Sequence, residues 1–227
     1  MLAPIRDCPV LTAPNRATLA ALRARLPEPA WRPRGARLTV LAIDDRTPGQ
    51  VVVDGAVPFR QGNDAQNEAL KAWLAQQLAN DPPAFALELF AGAGNLTEVL
   101  AAAGVARVMA VEGDAAACSA LGARRLPGVE VVCADLRDSA RLRALARSAG
   151  EAELLLLDPP RDGFRALPAL LAALPRLARI LYVSCDLATF ARDAAGAVAQ
   201  GFALRVVQPF DFFPHTPHIE LAALFER

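Results

Sequence analysis

The sequence lacks the features that mark membrane-spanning, exported and metal-dependent proteins. It has no uninterrupted run of about 18 apolar residues, the length that begins to cross a bilayer. Its N-terminus has no basic stretch followed by an apolar core and a small-residue cleavage site. The four cysteines are widely spaced and form no paired metal-ligand pattern. We therefore expect a cytoplasmic protein with no membrane contact, no disulfide framework and no bound metal. We also expect a monomer.

The sequence also lacks an excess of charge of either sign, since its formal net charge is zero, and Lys71 is the one lysine of the chain. A protein held to nucleic acid by bulk charge alone would be strongly basic. Residues 1–37 depart from this balance, since seven arginines there face two acidic residues, a local net charge of +5. Arginine suits phosphate contacts, but an arginine-rich coding bias would give the same pattern. Both explanations stay open.

The distribution of residue types along the sequence predicts a small appendage followed by a larger domain. Residues 1–57 contain one helical pattern, Ala17 to Leu26, and a β-hairpin with strands at Leu38–Ile43 and Val51–Val53. From residue 58 to 227, apolar strands alternate with amphipathic helices, the first of them at Glu68–Leu78. That alternation is typical of a mostly parallel sheet covered on both faces, an α/β Rossmann-like fold.

Seven strands and five intervening helices are predicted in this larger domain. The strands are expected at Phe85–Phe90, Arg107–Val111, Val129–Cys133, Leu154–Asp158, Arg179–Ser184, Leu204–Val207 and Glu220–Phe225. The helices are expected to begin near Leu96, Asp114, Ser139, Arg165 and Ala188.

A glycine loop follows the first strand of the larger domain. Gly92, Gly94 and Asn95 stand between strand and helix, where glycine permits a tight turn and a close approach of ligand to backbone. A dinucleotide-binding loop would carry a third glycine where Thr97 stands. The loop alone could be a plain turn. If it binds a cofactor, it favours S-adenosylmethionine over a dinucleotide.

Polar side chains end the next four strands. Glu112 ends the second strand, where a ribose diol needs an acceptor, and Asp135 follows the third at reach of an adenine edge. Asp158 ends the fourth strand and Cys185 follows the fifth. Carboxyl ends of parallel strands meet at one edge, so these residues predict an adenosine-type cofactor site beside a candidate thiol nucleophile. Each taken alone could be a solvated carboxylate or a buried thiol. Cys118 and Cys133 lie in apolar surroundings and are predicted as small buried side chains.

The segment before the last strand is dense in ionisable groups. Asp211 to Glu220 includes both histidines of the chain, His215 and His218. A turn ahead of an edge strand would account for the segment's polarity, but not for two histidines and a carboxylate together. Phe212 and Phe213 are predicted as core residues, with base stacking as the alternative.

Five ordered motifs make the chain from about residue 59 to 227 resemble the RNA 5-methyluridine methyltransferases, bacterial enzymes that modify 23S ribosomal RNA and transfer RNA. The motifs are Phe59-Arg60-Gln61-Gly62-Asn63, Leu89-Phe90-Ala91-Gly92-Ala93-Gly94-Asn95, Leu157-Asp158-Pro159-Pro160-Arg161, Val183-Ser184-Cys185-Asp186 with Ala188-Thr189-Phe190-Ala191-Arg192-Asp193, and Phe213-Pro214-His215-Thr216 with His218 and Glu220.

The resemblance implies a class I methyltransferase that transfers a methyl group from S-adenosylmethionine to carbon-5 of an RNA uridine, in ribosomal RNA rather than transfer RNA. It implies Cys185 as nucleophile and Glu220 as general base. The thiol would add to carbon-6 of the base, and Arg192 or the start of the following helix could lower the thiol's pKa. The cofactor-binding positions that it implies are Gln61, Phe90, Asn95, Glu112, Asp135 and Asp158, with Gly92 and Gly94 of the loop.

Departures from the family pattern leave two alternatives open. Leu187 replaces a usual proline, and Cys8 matches the last of four iron–sulfur ligands whose three partners are absent, so we expect no cluster. The N-terminal part is short for the family. One alternative is therefore a cofactor-binding RNA-interaction protein that is catalytically silent. The motif Asp158-Pro159-Pro160 also occurs in amino-group methyltransferases, although Arg161 stands where those enzymes carry an aromatic residue.

Overall fold

A computed structural model describes residues 7–9, 11–32, 39–43, 49–54, 61–214 and 216–227. The chain divides into two compact units, Met1–Pro58 and Phe59–Arg227. The functional assignment of residues 1–57 as an appendage and 58–227 as a catalytic domain stays a prediction. Among the described residues, no helix has the length and apolar character needed to cross a bilayer.

The first unit contains a helix, α1 (Ala13–Ala24), a 3-10 turn (Pro29–Trp31) and a two-stranded antiparallel sheet of β1 (Leu41–Ile43) and β2 (Val51–Val53). Helix α1 begins four residues before the predicted start, because Pro14 in the first turn is compatible with helix initiation. The second hairpin strand is confirmed as predicted, the first is observed only from Leu41, and Leu38 and the residues between 43 and 49 lie outside the described ranges.

The second unit opens with helix α2 (Asp64–Leu78), which also begins four residues earlier than predicted. Asn63 supplies the reason, since its side-chain oxygen accepts a 3.2 Å hydrogen bond from the amide of Gln66 and caps the helix. The helix buries Leu70, Leu74 and Leu78 along one stripe.

A seven-stranded sheet forms the centre of the second unit, in the order β5-β4-β3-β6-β7-β9-β8. Its strands are β3 (Phe85–Leu89), β4 (Arg107–Glu112), β5 (Val129–Cys133), β6 (Leu154–Leu157), β7 (Arg179–Ser184), β8 (Ala203–Phe210) and β9 (Glu220–Glu226). Its remaining helices are α3 (Thr97–Ala102), α4 (Ala115–Ala123), α5 (Ser139–Ser148), α6 (Leu167–Ala172) and α7 (Leu187–Ala199). The predicted strands and helices are confirmed, with ends shifted by a few residues.

Two apolar clusters lie on opposite faces of this sheet. Along β6, Leu155 and Leu157 join one cluster while Leu154 and Leu156 join the other. This alternation follows from the two-residue period of a strand, and burial on both faces accounts for the four consecutive leucines. The predicted α/β fold is therefore confirmed.

The topology brings the carboxyl ends of the parallel strands to one edge of the sheet. Strands β3 to β7 are parallel, so their carboxyl ends lie together, whereas β9 runs antiparallel to β7 and begins at that edge. Ligands of open α/β sheets bind at this edge.

Candidate active site

The glycine loop between β3 and α3 has a left-handed backbone at three positions. Phe90, Gly92 and Gly94 have φ angles of 64°, 55° and 88°. A Cβ atom added to Gly92 would meet nothing within 4 Å, whereas one added to Gly94 would clash with the side chain of Leu121. The two glycines therefore serve different needs: Gly92 leaves open space beside the backbone, and Gly94 allows α4 to pack against the loop.

Arg124 holds the carbonyl side of this loop. Its Nη1 donates to the carbonyl oxygens of Ala93 and Gly94 at 3.2 and 2.5 Å, and its Nη2 pairs with Glu98. Glu98 in turn pairs with Lys71 at 2.6 Å. The one lysine of the chain thus belongs to the ion-pair network that supports the loop.

Glu112 is fixed by backbone amides at the end of β4. Its Oε2 accepts from the amide of Gly92 at 2.8 Å, and its Oε1 accepts from those of Gly113 and Asp114 at 2.7 and 2.8 Å. This arrangement holds an anionic acceptor beside the open space at Gly92, where it can accept hydrogen bonds from a diol.

The other predicted cofactor residues differ in their surroundings. Asn95 exchanges two side-chain hydrogen bonds with Asn67, at 3.0 and 2.8 Å. The ring of Phe90 stacks edge-on against Phe164 with centroids 5.4 Å apart. Asp135 is exposed after β5 and accepts from the amide of Arg137 at 2.9 Å. Gln61 is half-buried just before α2.

Cys185 and Glu220 meet at the end of the β7–β9 ladder. The last antiparallel pair is Ser184 with Leu221, so the next residues on each side, Cys185 and Glu220, stand opposite each other. Two hydrogen bonds, from the Ser184 hydroxyl to the Asp186 carbonyl at 3.0 Å and from the Asp186 amide back to that hydroxyl at 3.2 Å, fix the turn around the thiol. Glu220 is 6% exposed, and its Oε2 has no hydrogen-bond partner among the described residues.

Asp158 lies close enough to both groups to interact with them electrostatically. Burial raises the pKa of Asp158 to about 7, and the charge of Glu220 adds to the rise. Burial also raises the pKa of Glu220. The pKa of the Cys185 thiol is raised by burial and by the charges of Glu220 and Asp158, while Arg161 opposes the rise.

The cation that acts on Cys185 is Arg161, so the expectation that Arg192 lowers the thiol's pKa is not supported, while the alternative that the start of the following helix lowers it stays a prediction. The guanidinium of Arg192 is paired with Asp193, at 2.8 Å from Nε and 2.7 Å from Nη2. The expectation for the other cysteines was half right, since Cys118 is buried but Cys133 is exposed. Cys118 donates through Sγ to the carbonyl of Glu112 at 3.4 Å.

A cavity of about 200 Å³ opens beside Cys185. Its lining residues are Cys185, Asp186, Leu187, Ala188, Pro217, His218 and Ile219. Phe212 is buried as predicted, but Phe213 is 39% exposed and stands edge-on to His218, with ring centroids 6.5 Å apart. His215 lies outside the described residues. Within the described ranges, no three metal-ligating side chains cluster.

Sequence reasoning missed two residues of this region. Asn67 lies in a helix whose pattern is ordinary, so only its partnership with Asn95 identifies it. Glu88 is 2% exposed in β3, directly below the glycine loop, and burial raises its pKa to about 8. Glu88 could have been identified from the sequence, because a single acidic residue within an otherwise apolar buried strand is unusual.

Residues 38–227 match the family model described as tRNA (Uracil-5-)-methyltransferase. The chain belongs to this tRNA (uracil-5-)-methyltransferase family. An uncharacterised RNA methyltransferase of Nitrosomonas europaea is 39% identical over 229 residues, which cover 100% of this chain and 58% of the relative. The 23S rRNA (uracil(1939)-C(5))-methyltransferase RlmD of Halomonas elongata is 41% identical over 177 residues, which cover 74% of this chain and 36% of the relative. The chain thus spans only about a third to three fifths of these relatives.

Solved structures place this family member in the class I S-adenosylmethionine-dependent methyltransferase fold. A SAM-dependent methyltransferase from Agrobacterium tumefaciens superimposes with a TM-score of 0.56 at 16% identity, covering 85% of this chain and 71% of that one. TYW2 of M. jannaschii in complex with AdoMet gives 0.52 at 18% identity, covering 86% and 89%.

The residues at the sheet edge fit the cofactor that this fold implies. The space beside Gly92 is free of protein atoms, and the amide-bound carboxylate of Glu112 stands next to it. A ribose needs just such an acceptor at the end of the second strand of a Rossmann-like sheet.

Proposed function

We propose that this protein transfers a methyl group from S-adenosylmethionine to carbon-5 of a uridine in RNA, through a covalent bond between Cys185 and carbon-6. The observation that carries the proposal is the position of Cys185 opposite Glu220, at the sheet edge where the glycine loop also lies. A nucleophile and a buried base in one place match the two chemical needs of the reaction.

The cofactor would be held by the glycine loop and the neighbouring strand ends. The residues assigned to it are Gln61, Phe90, Gly92, Gly94, Asn95, Glu112, Asp135 and Asp158. Bound S-adenosylmethionine supplies a methyl group on a positively charged sulfur. Of these residues, Glu112 would hold the ribose and Asp158 would face that positive end.

Cys185 must lose its proton before it attacks, because the thiolate is the nucleophile. Its pKa is raised in the protein without substrate, so most of the thiol is protonated at neutral pH. Arg161 and a backbone hydrogen bond to the thiol favour the thiolate. Addition of the thiolate to carbon-6 makes carbon-5 electron-rich, which divides one difficult step into easier ones.

Glu220 would remove the proton from carbon-5 after methylation, so that the bond between sulfur and carbon-6 can break. The raised pKa of Glu220 makes its carboxylate a stronger base than a solvated one, closer to the match that general base catalysis requires. Its Oε2, unpartnered within the described residues, is available to accept the proton.

The RNA must present a single unstacked base. The cavity beside Cys185, about 200 Å³, is smaller than the ~300–1,000 Å³ of pockets that enclose drug-sized ligands and suits one ring. Turning a base out of a stack costs a few kcal/mol, so loops and single strands are favoured. We propose ribosomal RNA over transfer RNA, because the Halomonas relative carrying that name matches three quarters of this chain.

The test uses transcribed 23S ribosomal RNA and transfer RNA with methyl-labelled S-adenosylmethionine. Wild-type protein should label uridine in the ribosomal RNA. Cys185→Ala should abolish both labelling and any covalent complex, whereas Glu220→Gln should accumulate a protein–RNA adduct that survives denaturation. Cys133→Ser, which removes an exposed thiol on another strand, is the matched control and should behave as wild type.

Full methyl transfer by the Cys185→Ala protein would refute the covalent mechanism. Labelling confined to transfer RNA would refute the substrate preference alone. Cofactor binding without incorporation into either RNA would support the catalytically silent alternative.

A further inference from the structure

Three side chains on one face of α7 form hydrogen bonds with the backbone of the loop that follows Asp158. The Thr189 hydroxyl donates to the carbonyl oxygen of Arg161 at 3.0 Å. Arg192 Nη2 donates to the carbonyl oxygen of Asp162 at 2.9 Å. Asp193 Oδ2 accepts from the amide of Phe164 at 2.6 Å. Positions three and four apart share a helix face, so we call Thr189, Arg192 and Asp193 the α7 clamp.

Gly163 allows the loop to lie close to the three clamp residues. Its φ is 67°, and an added Cβ would lie 2.5 Å from both Arg192 Nη2 and Asp193 Oδ2 and 3.1 Å from the Cβ of Thr189. Any side chain at this position would push the loop away from all three clamp residues. The loop therefore approaches α7 as closely as glycine permits.

Asp193 is the centre of the clamp and is 3% exposed. Burial of a carboxylate is costly unless donors surround it. Besides the Phe164 amide, Asp193 receives the Tyr182 hydroxyl at 2.6 Å and two contacts from Arg192, at 2.8 and 2.7 Å. Tyr182 lies in β7 three residues before Cys185, so one carboxylate joins the strand, the loop and the helix.

The three elements that the clamp joins surround the Cys185 thiol or carry groups that act on it. Cys185 separates β7 from α7, and Asp186 caps that helix by accepting from the Thr189 amide at 2.9 Å. Asp158 and Arg161 belong to the loop that the clamp holds. Asp158 raises the pKa of the Cys185 thiol, and Arg161 lowers it. A shift of the loop along α7 would therefore change the distance from Cys185 to both groups.

We infer that Thr189, Arg192 and Asp193 are positioning residues that hold the Asp158–Phe164 loop in register with Cys185. This inference rests on the proposed function, because the two segments would carry the cofactor side and the nucleophile side of the reaction. A misplacement of about 1 Å between reacting groups can cost on the order of 100-fold in rate. Loss of one clamp contact should therefore lower kcat far more than it weakens cofactor binding.

The test compares Thr189→Val and Arg192→Lys with Thr189→Ser, which keeps the hydroxyl and should rescue. Arg205→Gln removes an exposed ion pair with Glu226 and serves as a control for loss of a surface charge. We expect kcat to fall about 10- to 100-fold in the first two variants, with the Kd for S-adenosylmethionine within about threefold of wild type. Thr189→Ser and Arg205→Gln should retain wild-type kcat.

A second measurement requires no RNA. The alkylation rate of Cys185 against pH reports the surroundings of the thiol, and release of the Arg161 backbone should displace the profile in Thr189→Val but not in Thr189→Ser. Wild-type kcat and an unchanged alkylation profile in Thr189→Val and Arg192→Lys would overturn the inference. So would a loss of activity that merely follows a loss of folded protein in thermal melts. If wild-type protein methylates no RNA, the proposed function fails, while the alkylation comparison still decides whether the clamp positions the loop.

Discussion

The side-chain amides of Asn67 and Asn95 hydrogen bond to each other in both directions, at 3.0 and 2.8 Å. Asn67 is 7% exposed and lies in α2, whereas Asn95 stands in the glycine loop. The pair fixes the orientation of the Asn95 amide and joins the lead-in helix to the proposed cofactor site.

Replacement of Asn67 by alanine should weaken both the fold and cofactor binding. The half-buried Asn95 amide would lose its partner, at a cost of about 1–3 kcal/mol in the free energy of unfolding. The Kd for S-adenosylmethionine should rise severalfold, because Asn95 would no longer be held in one orientation. Calorimetric melts and titrations measure the two effects. Gln76→Ala, at an exposed position of the same helix, should change neither, and an unchanged Kd in Asn67→Ala would contradict the role given to the pair.

The fold could be predicted from the sequence because its strands are largely apolar runs separated by segments that contain glycine, proline or charged residues. Val129–Cys133 and Arg179–Ser184 were predicted to the residue for this reason. The starts of α1 and α2 were missed because one depends on Pro14 in the first turn and the other on the Asn63 cap, local features that periodicity does not register.

The site was predictable only in part, because strand-end residues are visible in the sequence while their partners are not. Cys185 and Glu220 were found through motifs that lie 35 positions apart. The cation that lowers the pKa of Cys185 could not be predicted, because it depends on where the arginine side chains point. Arg192 pairs with Asp193, and Arg161 is the arginine that acts on the thiol. No spacing rule distinguishes these two arginines.

Cys185 should become more reactive when its carboxylate neighbours are neutralised. The charges of Glu220 and Asp158 raise the thiol's pKa, so Glu220→Gln and Asp158→Asn should increase the thiolate fraction near pH 8 and speed alkylation severalfold. Arg161→Gln should slow it. Peptide mass spectrometry after iodoacetamide treatment separates Cys185 from the exposed Cys133. Slower alkylation in Glu220→Gln would show that the electrostatic assignment has the wrong sign.

Glu88 should make the fold less stable as pH rises. Its carboxyl ordinarily ionises near 4.5, but burial raises its pKa to about 8 in the fold. The folded state therefore binds an extra proton between these values, and the associated stability is complete below pH 4.5 and is lost as pH rises through about 8. The slope is at most about 1.4 kcal/mol per pH unit for one group.

Glu88→Gln should flatten this dependence, since a neutral amide has no proton to lose. Urea unfolding at intervals from pH 5 to pH 9 measures the difference between the two proteins. Asp158, with a pKa of about 7, contributes a slope of the same sign that remains in the variant. Glu151→Gln, at an exposed ion pair, should keep the wild-type slope. Parallel curves for wild type and Glu88→Gln would contradict the burial of a protonated carboxyl.

Alanine substitutions at the two loop glycines should affect stability and cofactor binding to different extents. Gly94→Ala places a Cβ against Leu121 and strains a φ of 88°, so it should lower the free energy of unfolding by about 1–3 kcal/mol from overpacking alone. Gly92→Ala meets no protein atom within 4 Å, so its cost to the fold should be limited to backbone strain of about 1–2 kcal/mol. Its Cβ would enter the space assigned to the cofactor, and the Kd should rise out of proportion to the change in stability.

A double variant tests the steric half of this argument. Leu121→Ala removes the atoms that the Gly94→Ala side chain would strike, so the pair should lose less stability than the sum of the two single changes. Gly92→Ala combined with Leu121→Ala should be additive, because Gly92 has no such contact. If Gly94→Ala were equally costly with and without the Leu121 side chain, positive φ alone would explain the glycine, and the packing of α4 against the loop would have no part in its selection.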